Sequence, residues 1–181
     1  MDIERQTGTV VILRDDASLM PMSGAVCTET VLVLGVGNTL LRDDGFGVRV
    51  VECLRASGQL GASVRIQDGG TLGLSLLPDI EDADHLIVID AAELNADPGA
   101  LKTFENQEMD AHLSRHKSTV HEVAMVDLLA AARFAGTEPI SRTLIAVQPQ
   151  SLDWGSELTP PVADAVFEAC SRVCHLLQHR V

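Results

Sequence analysis

Apolar residues along this chain fall into two kinds of run, and the two alternate. Val31-Leu32-Val33-Leu34-Gly35-Val36-Gly37 is a continuous β-branched and leucine segment closed by glycines, the pattern of a strand buried on both faces. Asp43 to Arg55 then carries Phe46, Val48, Val50, Val51 and Leu54 behind an acidic start, which suits a helix whose N-terminus favours negative charge. Val64-Arg65-Ile66 reads as a strand, Thr71 to Ile80 as a helix, and His85-Leu86-Ile87-Val88-Ile89-Asp90 as a strongly hydrophobic strand. Leu101 to Glu105 adds a shorter strand. His121 to Phe134 is rich in Ala, Leu and Val and stops before Gly136, Thr143 to Gln148 is a further strand, and Pro160-Pro161 opens a final helix at positions whose amides have no helical partner. Strands alternating with helices imply right-handed crossovers, so the fold class is α/β: a three-layer α/β/α sandwich around a mostly parallel twisted sheet.

Length and charge narrow what such a domain does. The 181 residues suit one domain with a full core, expected over 29–181, with residues 1–28 as a poorly patterned N-terminal extension. Thirteen Lys and Arg against 26 Asp and Glu give a formal net charge of −13, which repels phosphate backbones and anionic lipid. No nucleic-acid partner and no membrane insertion are expected, and a monomer is favoured. No apolar run reaches signal-peptide or membrane-spanning length, so the chain is expected in the cytoplasm. Cys27, Cys53, Cys170 and Cys174 lack the paired spacing of a disulfide framework or a CxxC zinc site. Cys170, Cys174 and His175 lie in a run that is apolar at helical spacing from Val162 to Leu177, where small buried cysteines are core residues.

Candidate chemistry gathers just after the strands, where open α/β sheets place their sites. The loop Gly35-Val36-Gly37-Asn38-Thr39-Leu40-Leu41-Arg42-Asp43-Asp44-Gly45-Phe46-Gly47 begins like a dinucleotide fingerprint, but Leu40 stands where the third glycine belongs. Pyrophosphate would also meet Asp43 and Asp44 at the helix start, which is electrostatically wrong. The second loop, Asp68-Gly69-Gly70-Thr71, puts an acid at a strand end; a capped turn explains the same residues. His121 begins a helix after a polar stretch that holds His112 and His116, and a histidine there also fits a surface or capping role. Together Asp44, Asp68 and His121 supply two carboxylates and an imidazole, a donor set suited to a borderline divalent metal with open positions. Asp90 ends a strand near the same edge. No HExxH and no Gly-x-Ser-x-Gly elbow is present.

These segments, with His85-Leu86-Ile87-Val88-Ile89-Asp90-Ala91, Ser118-Thr119-Val120-His121 and Val147-Gln148-Pro149, resemble the hydrogenase maturation endopeptidases in order and spacing, over about 31–177. The resemblance implies that Asp44, Asp68 and His121 are the metal-binding and catalytic residues. It also implies a reaction: removal of a short C-terminal extension from the large-subunit precursor of a nickel-iron hydrogenase once nickel has been inserted. Nickel is then supplied by the precursor and serves as the recognition signal; other divalent metals are expected to occupy the site in vitro, and no further cofactor is expected. Many members of that family carry glutamate where this chain has Asp44, and close relatives often have glutamine in place of Glu122. Asp43 and Asp90 stand as candidates for the general base. The alternative from a different class is a non-catalytic metallochaperone or ligand-binding module of the same fold.

Overall fold

The computed structural model describes residues 29–178 apart from Gln59, Leu72 and residues 116–119; of residues 120–123 it describes the backbone. Five strands, β1 (Val31–Val36), β2 (Val64–Gly70), β3 (His85–Ala91), β4 (Leu101–Glu105) and β5 (Ser141–Val147), form one sheet in the order β2-β1-β3-β5-β4. All pairs are parallel except β4 with β5, so β4 is an antiparallel edge strand on an otherwise parallel sheet. The helices are α1 (Phe46–Ser57), α2 (Leu77–Glu81), α3 (Gln107–Arg115), α4 (Val120–Ala135) and α5 (Pro160–Gln178).

Strand alternation sorts the core into two layers. Val31, Val33, Ile87, Ile89 and Ile145 point to one face, where Phe46, Val50 and Leu54 of α1 and Val162, Ala169 and Val173 of α5 cover them. Leu32, Leu34, Leu86, Val88 and Leu144 point to the other, under Ile80 of α2, Met109 and Leu113 of α3, and Met125, Leu128 and Ala132 of α4. The result is the three-layer α/β/α arrangement that the alternating pattern predicts. Cys170 and Cys174 pack against the α1/α5 layer as expected of core residues, while Cys27 and the extension 1–28 lie outside the described residues. No described helix is long and apolar enough to cross a membrane.

Strand β5 covers Ser141–Val147 where Thr143–Gln148 is expected, and four larger differences from the sequence reading follow. Strand β2 runs on to Gly70 because its end pairs with β1, Gly35 opposite Asp68 and Val36 opposite Gly70, across a bulge. The expected helix over 71–80 shrinks to a 3₁₀ turn at Leu74–Leu76 and the short α2, since Gly73 is extended and Pro78 fits only a first helical turn. Asp43 and Asp44 form a 3₁₀ turn, Arg42–Gly45, ahead of α1 instead of its first turn. Helix α3 lies in a stretch read as polar; its apolar face is only Met109, His112 and Leu113, too thin a stripe to stand out. His112 in that helix is buried and stacks on Phe104 with ring centroids 4.2 Å apart.

The seat of α1 on the sheet is the closest contact between layers. A Cβ on Gly47 would strike the carbonyl oxygens of Ile89 and Val36, and one on Gly35 would strike the carbonyl of Gly47, so helix and strands meet backbone to backbone. Gly47→Ala gains about 1 kcal/mol of helix propensity but forces overpacking against carbonyls that cannot rotate away, at about 1–3 kcal/mol or more. We expect a net loss of stability in denaturant unfolding, with Gly61→Ala as a neutral control because a Cβ there meets nothing within 4 Å. A midpoint for Gly47→Ala at or above the parent's contradicts this seating.

Candidate active site at the carboxyl end of the sheet

Strand β1 has its sequence neighbour β2 on one side and β3 on the other, so the chain reverses its winding direction at β1. The crevice at the carboxyl ends of β1 and β3 is therefore the switch point of the sheet, where ligands of such folds bind. Three carboxylates end three adjacent strands here: Asp68 in β2, Asp44 just after β1, and Asp90 in β3.

Asp44 is held by the loop that leaves β1. Gly37 adopts φ +134°, gives its amide to Gly70 O at 2.8 Å, and packs so closely on the Asp44 carbonyl that any side chain at 37 would collide with it. The next amide, Asn38 N–H, donates to Asp44 Oδ2 at 2.8 Å. Asp44 is thereby buried to 5% exposure while its carboxylate is oriented by main chain. Asp68, opposite Gly35 in the β1–β2 pairing, is exposed and accepts Gly70 N–H at 2.8 Å in an Asx turn. It caps no helix, since α2 begins nine residues on. The bond from Gly37 N–H to Gly70 O thus joins the loop that carries Asp44 to the strand end that carries Asp68.

Asp43 has a different task. Its carboxylate is fully buried and accepts Thr159 N–H at 2.7 Å, Gln150 N–H at 2.9 Å, Ser151 N–H at 3.0 Å and the Thr159 hydroxyl at 2.8 Å. Burial pushes the carboxyl up, but the hydrogen bonds from Thr159, Ser151 and Gln150 outweigh it and hold Asp43 below its ordinary range. Three backbone amides and one hydroxyl thus converge on this one carboxylate. It is a clamp between the first loop and the 149–159 segment. No sequence pattern announced it; Thr159 before Pro160-Pro161 reads only as a helix start.

Asp90 is 4% exposed and accepts the Ala91 amide at 2.8 Å. By alternation it shares the sheet face of Leu86 and Val88, whereas Asp68 follows Val64 and Ile66 on the α1/α5 face, so the sheet separates these two acids. Strand β4 descends to the amino edge, α3 returns, and α4 descends again, with Arg133 late in α4 reaching Asp110 early in α3 at 3.3 Å. The first turn of α4, which contains His121, therefore stands at the carboxyl end of the sheet. The His121 side chain lies outside the described residues. Among the described residues no group of three or more His, Cys, Asp or Glu is placed to hold a metal ion. Buried Gln148 is a further organiser: its Oε1 accepts the Leu94 amide at 2.7 Å and so ties the loop after β3 to the end of β5.

Fold and site together define a small three-layer α/β protein with an acid-lined crevice at the strand ends, and proteins of known class share this anatomy. The family model described as hydrogenase maturation protease matches residues 48–176. The hydrogenase 2 maturation protease of Escherichia coli is 41% identical over 150 residues, covering 82% of this chain and 90% of that protein. The hydrogenase expression/formation protein HupD of Rhodobacter capsulatus is 44% identical over 139 residues, covering 76% of this chain and 66% of that protein. The solved structure of the hydrogenase maturating endopeptidase HybD from E. coli superposes with a TM-score of 0.77 at 39% identity, over 83% of this chain and 93% of that one. This chain belongs to the hydrogenase maturation protease family.

Removing the clamp tests its role. Asp43→Ala leaves four donors without their acceptor and is expected to lose roughly 2–4 kcal/mol in thermal or denaturant unfolding. Because the folded carboxyl titrates below its ordinary 3.8, its contribution is complete above that value and is lost as the pH falls through the lower folded one. The gap in melting temperature between parent and variant should therefore be constant at neutral pH and close below about pH 4. A gap that closes on the alkaline side contradicts the assignment.

Proposed function

We propose that this chain is the endopeptidase that removes the short C-terminal extension of a nickel-iron hydrogenase large-subunit precursor, and that the nickel carried by the precursor is the cue it reads. The observation that carries the reading is the tie from Gly37 N–H to Gly70 O, which joins the Asp44 loop to the strand end of Asp68 at the switch point of a fold shared with hydrogenase maturation proteases. Two carboxylates there, with His121 from the first turn of α4 as the third ligand, form an oxygen and nitrogen set that suits nickel. The backbone donors that aim Asp44 and Asp68 preorganise two of the three ligands. Nickel enters as part of the substrate, so few protein ligands and open coordination positions are what the role demands. Gripping the metal pins the adjoining peptide in the crevice and turns cleavage into a positioned reaction.

The test is incubation of the purified protein with nickel-loaded and nickel-free precursor, with conversion read on gels. The loaded precursor is expected to shorten and the nickel-free one to stay intact. Asp68→Asn and His121→Ala are expected to abolish processing and melt near the parent, since a misplacement of about 1 Å in a positioned reaction costs on the order of 100-fold in rate. Asp68 is exposed, and the asparagine carbonyl can still accept the Gly70 amide, so its structural loss should stay within ~1 kcal/mol. Equal cleavage of both precursors contradicts the nickel cue. Variants that process at the parental rate contradict the ligand set, and a parent that binds the loaded precursor without cutting it favours a docking module of the same fold.

A further inference from the structure

This chain has one tryptophan, no tyrosine and four phenylalanines, and it leaves the tryptophan in water: Trp154 is 78% exposed. Leu40 at 57% and Leu152 at 45% accompany it. The three belong to two segments that the fold ties together. Gly155 N–H donates to Leu40 O at 2.9 Å, Arg42 N–H to Gly155 O at 2.8 Å and Asp43 N–H to Ser151 O at 3.3 Å, while the Asp43 carboxylate holds Gln150, Ser151 and Thr159 from below. The apolar side chains are therefore mounted on a cross-braced platform. Leu40 lies two residues beyond Asn38, whose amide orients Asp44, so the platform is continuous with the candidate site.

We propose that Leu40, Leu152 and Trp154 form a shelf that receives apolar side chains of the polypeptide substrate beside the bond that is cut, with Trp154 as the anchor. The inference rests on the reading of the chain as a processing endopeptidase. The occupant follows from three observations. The shelf is joined to the loop that carries Asp44 through Leu40 and Asn38, its three side chains are apolar and call for apolar ones opposite, and the net charge of −13 disfavours acidic segments. Three side chains fall far short of the roughly 800 Å² per partner that a stable dimer buries, so a second copy of this chain is a poor fit. The bracing is made by the protein's own backbone and the Asp43 carboxylate, so an extended segment binds with little ordering of the protein.

Steady-state cleavage of the nickel-loaded precursor by Trp154→Ala, Trp154→Phe and the parent tests it, with thermal melting and sedimentation of each. Trp154→Ala should melt with the parent and lose about 10- to 100-fold in kcat/KM, chiefly through KM, as truncation of an aromatic anchor does. Trp154→Phe should recover most of the loss. Parental kcat/KM in Trp154→Ala overturns the shelf and leaves the protease reading standing. A parent that sediments as a dimer, made monomeric by Trp154→Ala at unchanged kcat/KM, assigns the shelf to a second copy and likewise overturns it. A parent that cleaves no precursor removes the protease reading and the shelf together.

Discussion

The carboxylate of Asp43 joins the loop after β1 to a segment more than 100 residues away, gripping it at the Gln150-Ser151 turn and at Thr159, the residue before α5. A charge in a buried position is normally a liability, because burial disfavours the ionised form. Here four donors converge on it and hold it ionised, so the same group that is expensive to bury becomes a strong brace once the donors are present. The first loop and the 149–159 segment depend on that brace: Asp44 is the next residue in the chain, and Leu40, Leu152 and Trp154 lie on the two segments it joins.

The glycines of the first loop serve a second, independent constraint. In a nucleotide-binding fold such glycines make room for phosphate; here Gly35 and Gly47 let α1 rest on the backbone of β1 and β3, and Gly37 lets the loop fold onto Asp44. The loop is filled by protein. The Gly37 and Asn38 N–H groups are spent on Gly70 O and on Asp44, so this loop does not offer them to a phosphate.

Neighbouring aspartates in this chain do opposite work, and burial alone does not tell them apart. Asp43 and Asp44 are both buried, yet the first is held by donors from the 149–159 segment, while the second is oriented by an amide of its own loop at the edge of the crevice. Asp68 and Asp90 end the two strands that flank β1, yet strand alternation sends them to different faces. Which acid is positioned for chemistry is decided by donors and by face, within a protein whose overall charge of −13 makes acids unremarkable as such.

The strands β1, β3 and β5, the helices α1, α4 and α5 and the three-layer class were legible in the sequence because each is a local run with its own period, buried enough to write that period in apolar residues. The candidate acids were legible too, because they stand directly after such runs. What the sequence could not contain was pairing. The extension of β2 to Gly70 exists only because β1 lies beside it, the thin apolar stripe of α3 acquires meaning only against Phe104 and the sheet, and Pro78 and Gly73 cut α2 short only once the 3₁₀ turn is packed. The role of Asp43 lies furthest from sequence reach. Its partners are 107 to 116 residues away, so a side chain that looks like half of an acidic pair becomes a clamp solely through the closure of the tertiary fold.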